Sequence, residues 1–180
     1  MKQSELIEVL KESLATKDTF LTLAIDGPSG SGKTTLATAI AEEIPGTAII
    51  HMDDLYRGWL LTLGSNLTRE LLSIFEQIEE QGSAIYSKFD WDQNRISEPT
   101  EIKVERLLVL EGVGSAQEAL DKFLDLRVWI EVPVDIGMQR AIERDGAQIA
   151  PHMELFLADQ DAYFTAEQVR ERSDFHLSGN

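Results

Sequence analysis

The stretch Gly27-Pro28-Ser29-Gly30-Ser31-Gly32-Lys33-Thr34 matches the pattern G-x-x-x-x-G-K-[ST] at every fixed position. The glycines let the backbone curl so that its N–H groups point inward at phosphate oxygens. A lysine at the seventh position supplies a cation to the β- and γ-phosphates of a nucleotide, and the hydroxyl that follows is a magnesium ligand. The stretch therefore predicts a loop that holds the phosphates of ATP.

The surroundings of this loop fit that prediction. Phe20 to Ile25 is a short apolar run typical of a buried strand, and Thr34 to Ile44 has the apolar spacing of a helix. The positive end of the helix dipole would face the bound phosphates. We expect these nucleotide contacts: Gly27, Ser29, Gly30, Ser31, Gly32, Lys33, Thr34 and Thr35.

Composition limits the partners of the chain. It has 180 residues, which predicts one domain over 1–180, with a helix in 1–18 packed against it. The formal net charge of -16 repels nucleic acid and anionic membranes, so we expect neither as a partner. The chain has no cysteine, no apolar signal-like segment and no membrane-length apolar run, which favours the cytoplasm. The composition leaves open whether the chain forms a homo-oligomer.

Strands alternate with helices along the chain, and the strands are continuously apolar. This pattern predicts an α/β fold in which a parallel sheet is covered on both faces, giving three layers. Further strands are expected at Thr47–Ile50, Ala84–Phe89, Leu107–Leu110, Leu126–Val132 and Asp174–Leu177, and further helices at Thr68–Gln81, from the capping box at Ser115, at Asp135–Asp145 and at Pro151–Glu171.

Ligands of such sheets bind at the carboxyl ends of the strands. Asp26, Asp53 and Glu111 each follow or end a predicted strand, so we expect them on one rim. Asp53 can accept the proton of an acceptor hydroxyl, or it can belong to a solvated acidic turn. We interpret Asp54 as a neighbour of the base and His51 as structural.

Glu111 ends a fully apolar strand, and in enzymes with such a phosphate loop this position reaches magnesium or its water shell. Aspartate is the more usual residue, and an ordinary strand end is the alternative. The expected metal ligands are Thr34, Glu111 and Asp53.

Two further groups of side chains suit a kinase. Arg140 and Arg144 lie four residues apart on a predicted helix and can clamp a transferring phosphate, or they can belong to a salt-bridged surface. Tyr86, Phe89, Trp91 and Arg95 can stack and fix the ring of an acceptor, or plug the edge of the sheet.

These motifs together resemble the uridine kinase and phosphoribulokinase group of P-loop kinases, over roughly residues 21–145. The resemblance implies a nucleoside/nucleotide kinase-like P-loop nucleoside triphosphate hydrolase fold with ATP and Mg²⁺. The segment Asp53-Asp54-Leu55-Tyr56-Arg57 is similar to the one that carries the catalytic base, which implies that role for Asp53. Leu110-Glu111-Gly112 is similar to the group's magnesium-holding segment.

The same resemblance implies an acceptor site and a lid. Tyr86 through Arg95 resembles the nucleoside-binding stretch, so the expected acceptor contacts are Tyr56, Arg57, Tyr86, Phe89, Trp91 and Arg95. Arg140 and Arg144 resemble lid arginines, which implies catalytic roles for them beside Asp53 and Lys33, and the lid itself would be short, about 144–152.

Three functions fit these features. The first is ATP-dependent transfer of a phosphoryl group to a hydroxyl of a small acceptor, most simply a nucleoside. The second is an ATP-binding regulatory or interaction protein with weak ATPase activity, which would have its own side chains in the acceptor volume. The third is a nucleoside monophosphate kinase, in which Arg57 and Arg95 would bind the second phosphate.

Overall fold

The computed structural model describes residues 1–59 and 62–179. The strands of this part of the chain are β1 (Leu21–Asp26), β2 (Thr47–His51), β3 (Ser83–Asp90), β4 (Arg95–Lys103), β5 (Leu107–Glu111), β6 (Leu126–Glu131) and β7 (Phe175–Ser178). Five of them form one sheet in the order β2-β5-β1-β6-β7, and all neighbours in it run parallel. The predicted parallel sheet is confirmed.

Helices cover both faces of this sheet. They are α1 (Gln3–Thr16), α2 (Lys33–Glu43), α3 (Ser65–Gln81), α4 (Val134–Asp145), α5 (Ala150–Glu167) and the short α6 (Val169–Arg172). Side chains of α1 and α2 form one hydrophobic core with the sheet, and those of α3 and α5 belong to a second core on the other face.

Successive residues of the strands contribute to the two cores in turn. Leu23 and Val109 belong to the core under α1 and α2, whereas Ala24 and Leu110 belong to the other. All six residues of β1 and all five of β5 are buried, because side chains of a strand alternate between two covered faces. This explains why the sequence lacks a polar–apolar alternation at these strands.

Strands β3 and β4 depart from the expected layout. They pair antiparallel with each other as a separate hairpin, and the turn at residues 91–94 carries Trp91 at its tip. We predicted a strand at Ala84–Phe89 and no further strand before Leu107, so β4 was missed. Its residues are mostly exposed and include Pro99, which removes the apolar pattern that normally reveals a strand.

Two helix predictions also need correction. The capping box at Ser115 does not open a regular helix, since only a short 3₁₀ turn forms at Glu118–Leu120. The Ser115 hydroxyl instead donates to the carbonyl of Ile25 at the end of β1, at 2.9 Å. The helix predicted at Pro151–Glu171 is interrupted by Gln168, whose φ of 48° is left-handed, and α6 continues beyond it.

Candidate active site

The phosphate loop joins β1 to α2, and it packs closely against α4. A Cβ atom on Gly30 would lie 2.1 Å from the carbonyl oxygen of Gly137, and one on Gly137 would lie 2.3 Å from the carbonyl oxygen of Ser29. Real Cβ atoms do not approach backbone atoms this closely, so both positions require glycine. Only Gly30 also has a positive φ, of 73°. The loop conformation therefore depends on α4.

Lys33 begins α2 and folds back over the loop. Its Nζ donates to the carbonyl oxygens of Gly27 at 2.8 Å and Pro28 at 2.7 Å, and lies 3.4 Å from Ser31 Oγ. The side chain is buried, which lowers the pKa of Lys33, although the nearby carboxylates of Asp26 and Glu111 oppose this shift. The cation is therefore held by carbonyl oxygens of the phosphate loop itself.

Glu111 contacts two polar side chains, those of Thr34 and His51. Its Oε1 accepts the hydroxyl of Thr34 at 3.0 Å and lies 2.5 Å from Nδ1 of His51. His51 and Glu111 are register partners at the ends of the neighbouring strands β2 and β5. The hydrogen bond to Glu111 raises the pKa of His51. We predicted only a structural role for His51, although its place at a strand end, next to that of Glu111, could have indicated this contact.

Asp53 lies in a 3₁₀ turn, Met52–Asp54, directly after β2. Its side chain is open to the cleft but surrounded by protein atoms, and this desolvation, together with the charge of Glu111, raises the pKa of Asp53. Lys33 and Arg144 act against the shift. A carboxylate with a raised pKa is a stronger proton acceptor than an ordinary surface aspartate.

Asp26 does not join the other two acids in the cleft. It is fully buried, and its carboxylate accepts hydrogen bonds from the backbone N–H of Gly27, Gly114 and Ala116 and from the hydroxyl of Tyr163 at 2.9 Å. Burial raises the pKa of Asp26 despite these donors. The residue anchors the start of the phosphate loop to the loop after β5 and to α5.

Two adjoining cavities open at the carboxyl edge of the sheet. The phosphate-loop cavity, of about 470 Å³, is lined by loop residues together with these side chains: Lys33, Thr34, Thr35, Asp53, Glu111, Arg140 and Arg144. The second, of about 640 Å³, we call the aromatic cavity, because Tyr56, Trp59, Trp91 and Phe156 line it. Both are lined by Ser29, Asp53, Ala141, Arg144 and Phe156. Asp53 and Arg144 are therefore the charged residues at their junction.

Both predicted arginines of α4 reach the phosphate-loop cavity. Arg140 Nη1 donates to the carbonyl of Gly179 at 3.1 Å and lies 3.5 Å from that of Gly30. Arg144 makes two hydrogen bonds to the carboxylate of Asp145, at 2.7 and 2.6 Å, and these raise the pKa of Arg144. Both arginines therefore line the same cavity as the phosphate loop.

The walls of the aromatic cavity come from three separate elements. Trp59 stacks on His152 of α5 at a centroid distance of 5.3 Å, and its ring lies 5.0 Å from that of Trp91 at an angle of 57°. Phe156 meets Trp59 edge-on. The indole N–H of Trp91 donates to the backbone carbonyl of Asp53 at 3.0 Å. The hairpin is thereby attached to the turn that carries Asp53.

The predicted acceptor residues separate into two groups. Tyr56 and Trp91 line the aromatic cavity. The other four are not among its lining residues: Arg57 forms an ion pair with Glu70, Tyr86 is buried in the core, Phe89 packs edge-on against Trp91, and Arg95 is the strand-register partner of Asp90 in the hairpin. Tyr56 is itself nearly buried, and its hydroxyl donates to the carbonyl of Val113.

Sequence reasoning missed three members of the aromatic cavity: Trp59, His152 and Phe156. The spacing of His152 and Phe156, four residues apart on a helix, was a usable signal because it places both on one face. It also missed Gln160, a buried side chain of α5 whose Oε1 accepts the N–H of Ser29 at 2.8 Å. Gln160 and Tyr163 connect α5 directly to the phosphate loop and to Asp26.

Oxygen donors suited to magnesium are present beside Lys33. Thr34 and Glu111 are in contact, and Asp53 lines the same cavity. Within residues 1–59 and 62–179, no three His, Cys, Asp or Glu side chains form a group that could hold a metal ion. Magnesium is commonly held by one or two carboxylates plus substrate phosphates and water.

Comparisons with known proteins indicate the class of enzyme that this chain resembles. No protein-family model matches the chain. It is 27% identical over 176 residues to a uridine kinase from Borrelia hermsii, covering 84% of this chain and 83% of that one. It is 29% identical over 127 residues to a cytidylate kinase from Archaeoglobus fulgidus, covering 71% and 63%. A solved structure of a possible uridine kinase from Bacillus stearothermophilus superimposes with a TM-score of 0.70 at 23% identity, covering 98% of this chain and 100% of that one.

The fold and the phosphate loop define the chain as a P-loop kinase, an ATP-dependent enzyme with a small-molecule substrate. Among such kinases, the chain is similar in sequence to uridine kinases and in fold to a possible uridine kinase. No helix in the described part of the chain is long and apolar enough to cross a membrane.

Proposed function

We propose that the phosphate-loop cavity binds ATP and that the aromatic cavity binds a ring-bearing acceptor whose hydroxyl receives the γ-phosphoryl group. The observation that carries this proposal is the shared wall of the two cavities, which is lined by both Asp53 and Arg144. A base and a cation at the junction of two sites are what direct phosphoryl transfer needs.

On the ATP side, the loop and its cations would bind the phosphates. Lys33 would leave the carbonyl oxygens of Gly27 and Pro28 and bind the β- and γ-phosphates. Arg140 and Arg144 would stabilise the negative charge of the transferring group from the side of α4. Residues 144–152, between α4 and the start of α5, would act as a short lid.

Thr34 and Glu111 would hold a magnesium ion, with Asp53 at the edge of its water shell. Bound there, magnesium would neutralise charge on the β- and γ-phosphates. The existing contact between the Thr34 hydroxyl and Glu111 brings two oxygen donors together before any ligand arrives. His51 would keep Glu111 in this orientation through its bond to Oε1.

On the acceptor side, Asp53 would be the catalytic base. The acceptor oxygen forms a bond to the γ-phosphorus, the bond from that phosphorus to the bridging oxygen breaks, and ADP leaves. The hydroxyl proton passes to Asp53. The raised pKa of this carboxyl, caused mainly by desolvation, favours that transfer.

The lining of the aromatic cavity supports an unphosphorylated acceptor such as a nucleoside. A nucleoside monophosphate kinase needs cations for a second phosphate, and the candidates were Arg57 and Arg95. Arg57 is paired with Glu70, and neither arginine is among the residues that line the cavity. Flat aromatic walls suit stacking with a base. The similarity to uridine kinases supports the same class of acceptor.

A purely regulatory ATP-binding protein fits these features less well. That alternative expects the acceptor volume to be filled by the protein's own side chains, whereas the aromatic cavity measures about 640 Å³. A space of this size suits a small ligand.

The test is an ADP-release assay with ATP and Mg²⁺ against nucleosides, nucleoside monophosphates and sugars, with Lys33→Ala as the background. We expect at least one unphosphorylated acceptor to raise ADP release above that background. Asp53→Asn should lower kcat about 100-fold or more while leaving ATP binding almost unchanged. Asp54→Asn, one residue away in the same turn, is the matched control. An Asp53→Asn enzyme with full activity would remove the assignment of the base.

A further inference from the structure

The two cavities carry opposite charge. Three cationic side chains and two carboxylates line the phosphate-loop cavity, the cations being Lys33, Arg140 and Arg144. In the described lining of the aromatic cavity the balance reverses, with Asp53, Asp92 and Asp145 against Arg144 alone. A cavity with this balance repels an anionic ligand and attracts a cationic one.

Most of this negative charge is not cancelled inside the aromatic cavity. Arg144 is held by both carboxylate oxygens of Asp145, so these two residues largely neutralise each other. Asp92 is exposed in the turn of the hairpin, next to Trp91. Asp53 also lines the phosphate-loop cavity, so it lies at the junction of the two cavities. Asp92 is therefore the carboxylate that the ring of a ligand can approach while the hydroxyl of the same ligand lies at Asp53.

The aromatic walls match the same kind of ligand. Trp59 and Trp91 are in tilted contact at 57° with centroids 5.0 Å apart, and Trp91 is still 38% exposed where it lines the cavity. Aromatic faces attract cations through their quadrupole, and tryptophan does so most strongly. His152 covers Trp59 by stacking, and Phe89 supports Trp91 edge-on, so both indoles are held in place by neighbours.

We propose that the acceptor is a cationic ring compound, whose positively charged ring binds against the exposed indole of Trp91 beside Asp92 while its hydroxyl points to Asp53. This inference rests on the proposed function, because it specifies the acceptor of the same site. The ring charge takes no part in the reaction. The oxygen–phosphorus bond forms, ADP leaves, the proton passes to Asp53, and the product keeps its cationic ring.

The test compares two ligands that differ only in charge: the N-riboside of pyridinium and the C-riboside of benzene. They have the same shape and the same ribose hydroxyls. Binding is measured by quenching of tryptophan fluorescence with a non-hydrolysable ATP analogue and Mg²⁺ present. We expect the pyridinium riboside to bind about tenfold more tightly, and added salt to reduce this difference. Its kcat/KM should exceed that of the neutral riboside by a similar factor.

Asp92→Asn tests the carboxylate. It should weaken binding of the pyridinium riboside several-fold and leave the neutral riboside unchanged. Glu98→Gln removes one negative charge from β4 of the same hairpin, away from the cavity, and should change neither ligand. An equal loss for both ligands in Asp92→Asn would mean that Asp92 only shapes the turn, and the inference would be overturned.

The outcomes separate this inference from the proposed function. Equal affinity for the two ribosides overturns the cationic class, even if both are phosphorylated and the kinase proposal stands. Selective binding of the pyridinium riboside, with no ADP release above the Lys33→Ala background, supports the cationic class and overturns phosphoryl transfer to it. Preference for a nucleoside monophosphate over both ribosides overturns the inference as well.

Discussion

The indole N–H of Trp91 and the backbone carbonyl of Asp53 are joined by a hydrogen bond of 3.0 Å. One partner stands at the tip of the β3–β4 hairpin and the other in the turn after β2, so a peripheral hairpin is tied to the segment that carries the proposed base. Trp91 is 38% exposed and lines the aromatic cavity with its ring. The N–H and the ring of Trp91 therefore serve two purposes: the N–H holds the hairpin to the turn of Asp53, and the ring forms part of the cavity wall.

Trp91→Phe separates those purposes, because it keeps an aromatic ring and removes the N–H donor. A hydrogen bond of this kind contributes about 0.5–1.5 kcal/mol, so we expect KM for the acceptor to rise about two- to tenfold. The KM for ATP should stay within about twofold, and steady-state kinetics checks both values.

The matched control is Trp129→Phe, the same change at an indole that donates to Glu131 instead. It should leave the acceptor KM unchanged. If Trp91→Phe and Trp129→Phe gave the same kinetics, the hydrogen bond to Asp53 would have no part in acceptor binding.

Gln160→Leu tests the link between α5 and the phosphate loop. The change leaves the N–H of Ser29 without its acceptor in a partly buried position, which costs about 1–3 kcal/mol of folding free energy. We also expect weaker ATP binding, because the loop is less firmly held in its phosphate-ready shape. Urea unfolding and nucleotide titration measure the two effects. Gln139→Leu, on the exposed surface of α4, should change neither.

Gly137→Ala tests the close packing of α4 on the loop. Its Cβ would lie 2.3 Å from the carbonyl oxygen of Ser29, so α4 and the loop must separate and ATP binding should be lost or reduced at least about tenfold. Gly82→Ala is the complementary control, since its φ is 71° but no atom lies within 4 Å of the new Cβ. That variant should lose about 1 kcal/mol of stability and bind ATP normally. Equal ATP affinity in both variants would contradict the clash.

Glu131 gives the stability a defined pH dependence. Partial burial pushes its pKa up, but hydrogen bonds from Arg170 and Trp129 outweigh this and hold the pKa of Glu131 below its ordinary value. A lowered pKa in the folded state means that the carboxylate stabilises the fold above the pKa of the unfolded chain, and that this contribution is lost as the pH falls through the folded-state pKa.

Glu131→Gln should therefore lower the free energy of unfolding near neutral pH by less than about 1 kcal/mol, since the ion pair with Arg170 is exposed. The difference from the parent protein should shrink as the pH is lowered and disappear in acid. Urea titrations across that range measure it. A Glu12→Gln variant, changed at an exposed position of α1, sets the background. A difference that grew in acid would contradict the assigned sign.

Much of the fold and the phosphate end of the site follow from the sequence for local reasons. The loop Gly27–Thr34 is a contiguous motif of fixed spacing, and the continuous apolar runs of β1 and β5 reflect burial on two faces. Strand ends share one rim in a parallel sheet, so Asp53 and Glu111 could be assigned to the same cleft before their contacts were known.

The aromatic cavity was harder to predict because its residues come together through tertiary packing. Trp59 follows the turn of Asp53, Trp91 belongs to a hairpin with little apolar alternation, and His152 lies on a distant helix. Local spacing assigned Tyr86 and Arg95 to the acceptor site because they flank Trp91 in sequence. The pairing of β3 with β4 sends these side chains elsewhere.

Helix α5 bears side chains that serve three places along its length: His152 and Phe156 at the aromatic cavity, Gln160 at Ser29, and Tyr163 at Asp26. Each added residue in a helix rotates everything beyond it by about 100° and shifts it by about 1.5 Å. A single insertion between Phe156 and Gln160 would therefore turn the polar pair away from its partners while the aromatic pair stayed in place. The spacing of these four side chains therefore fixes the length of α5 between Phe156 and Gln160, because any change there would break the connection between the aromatic cavity and the phosphate loop.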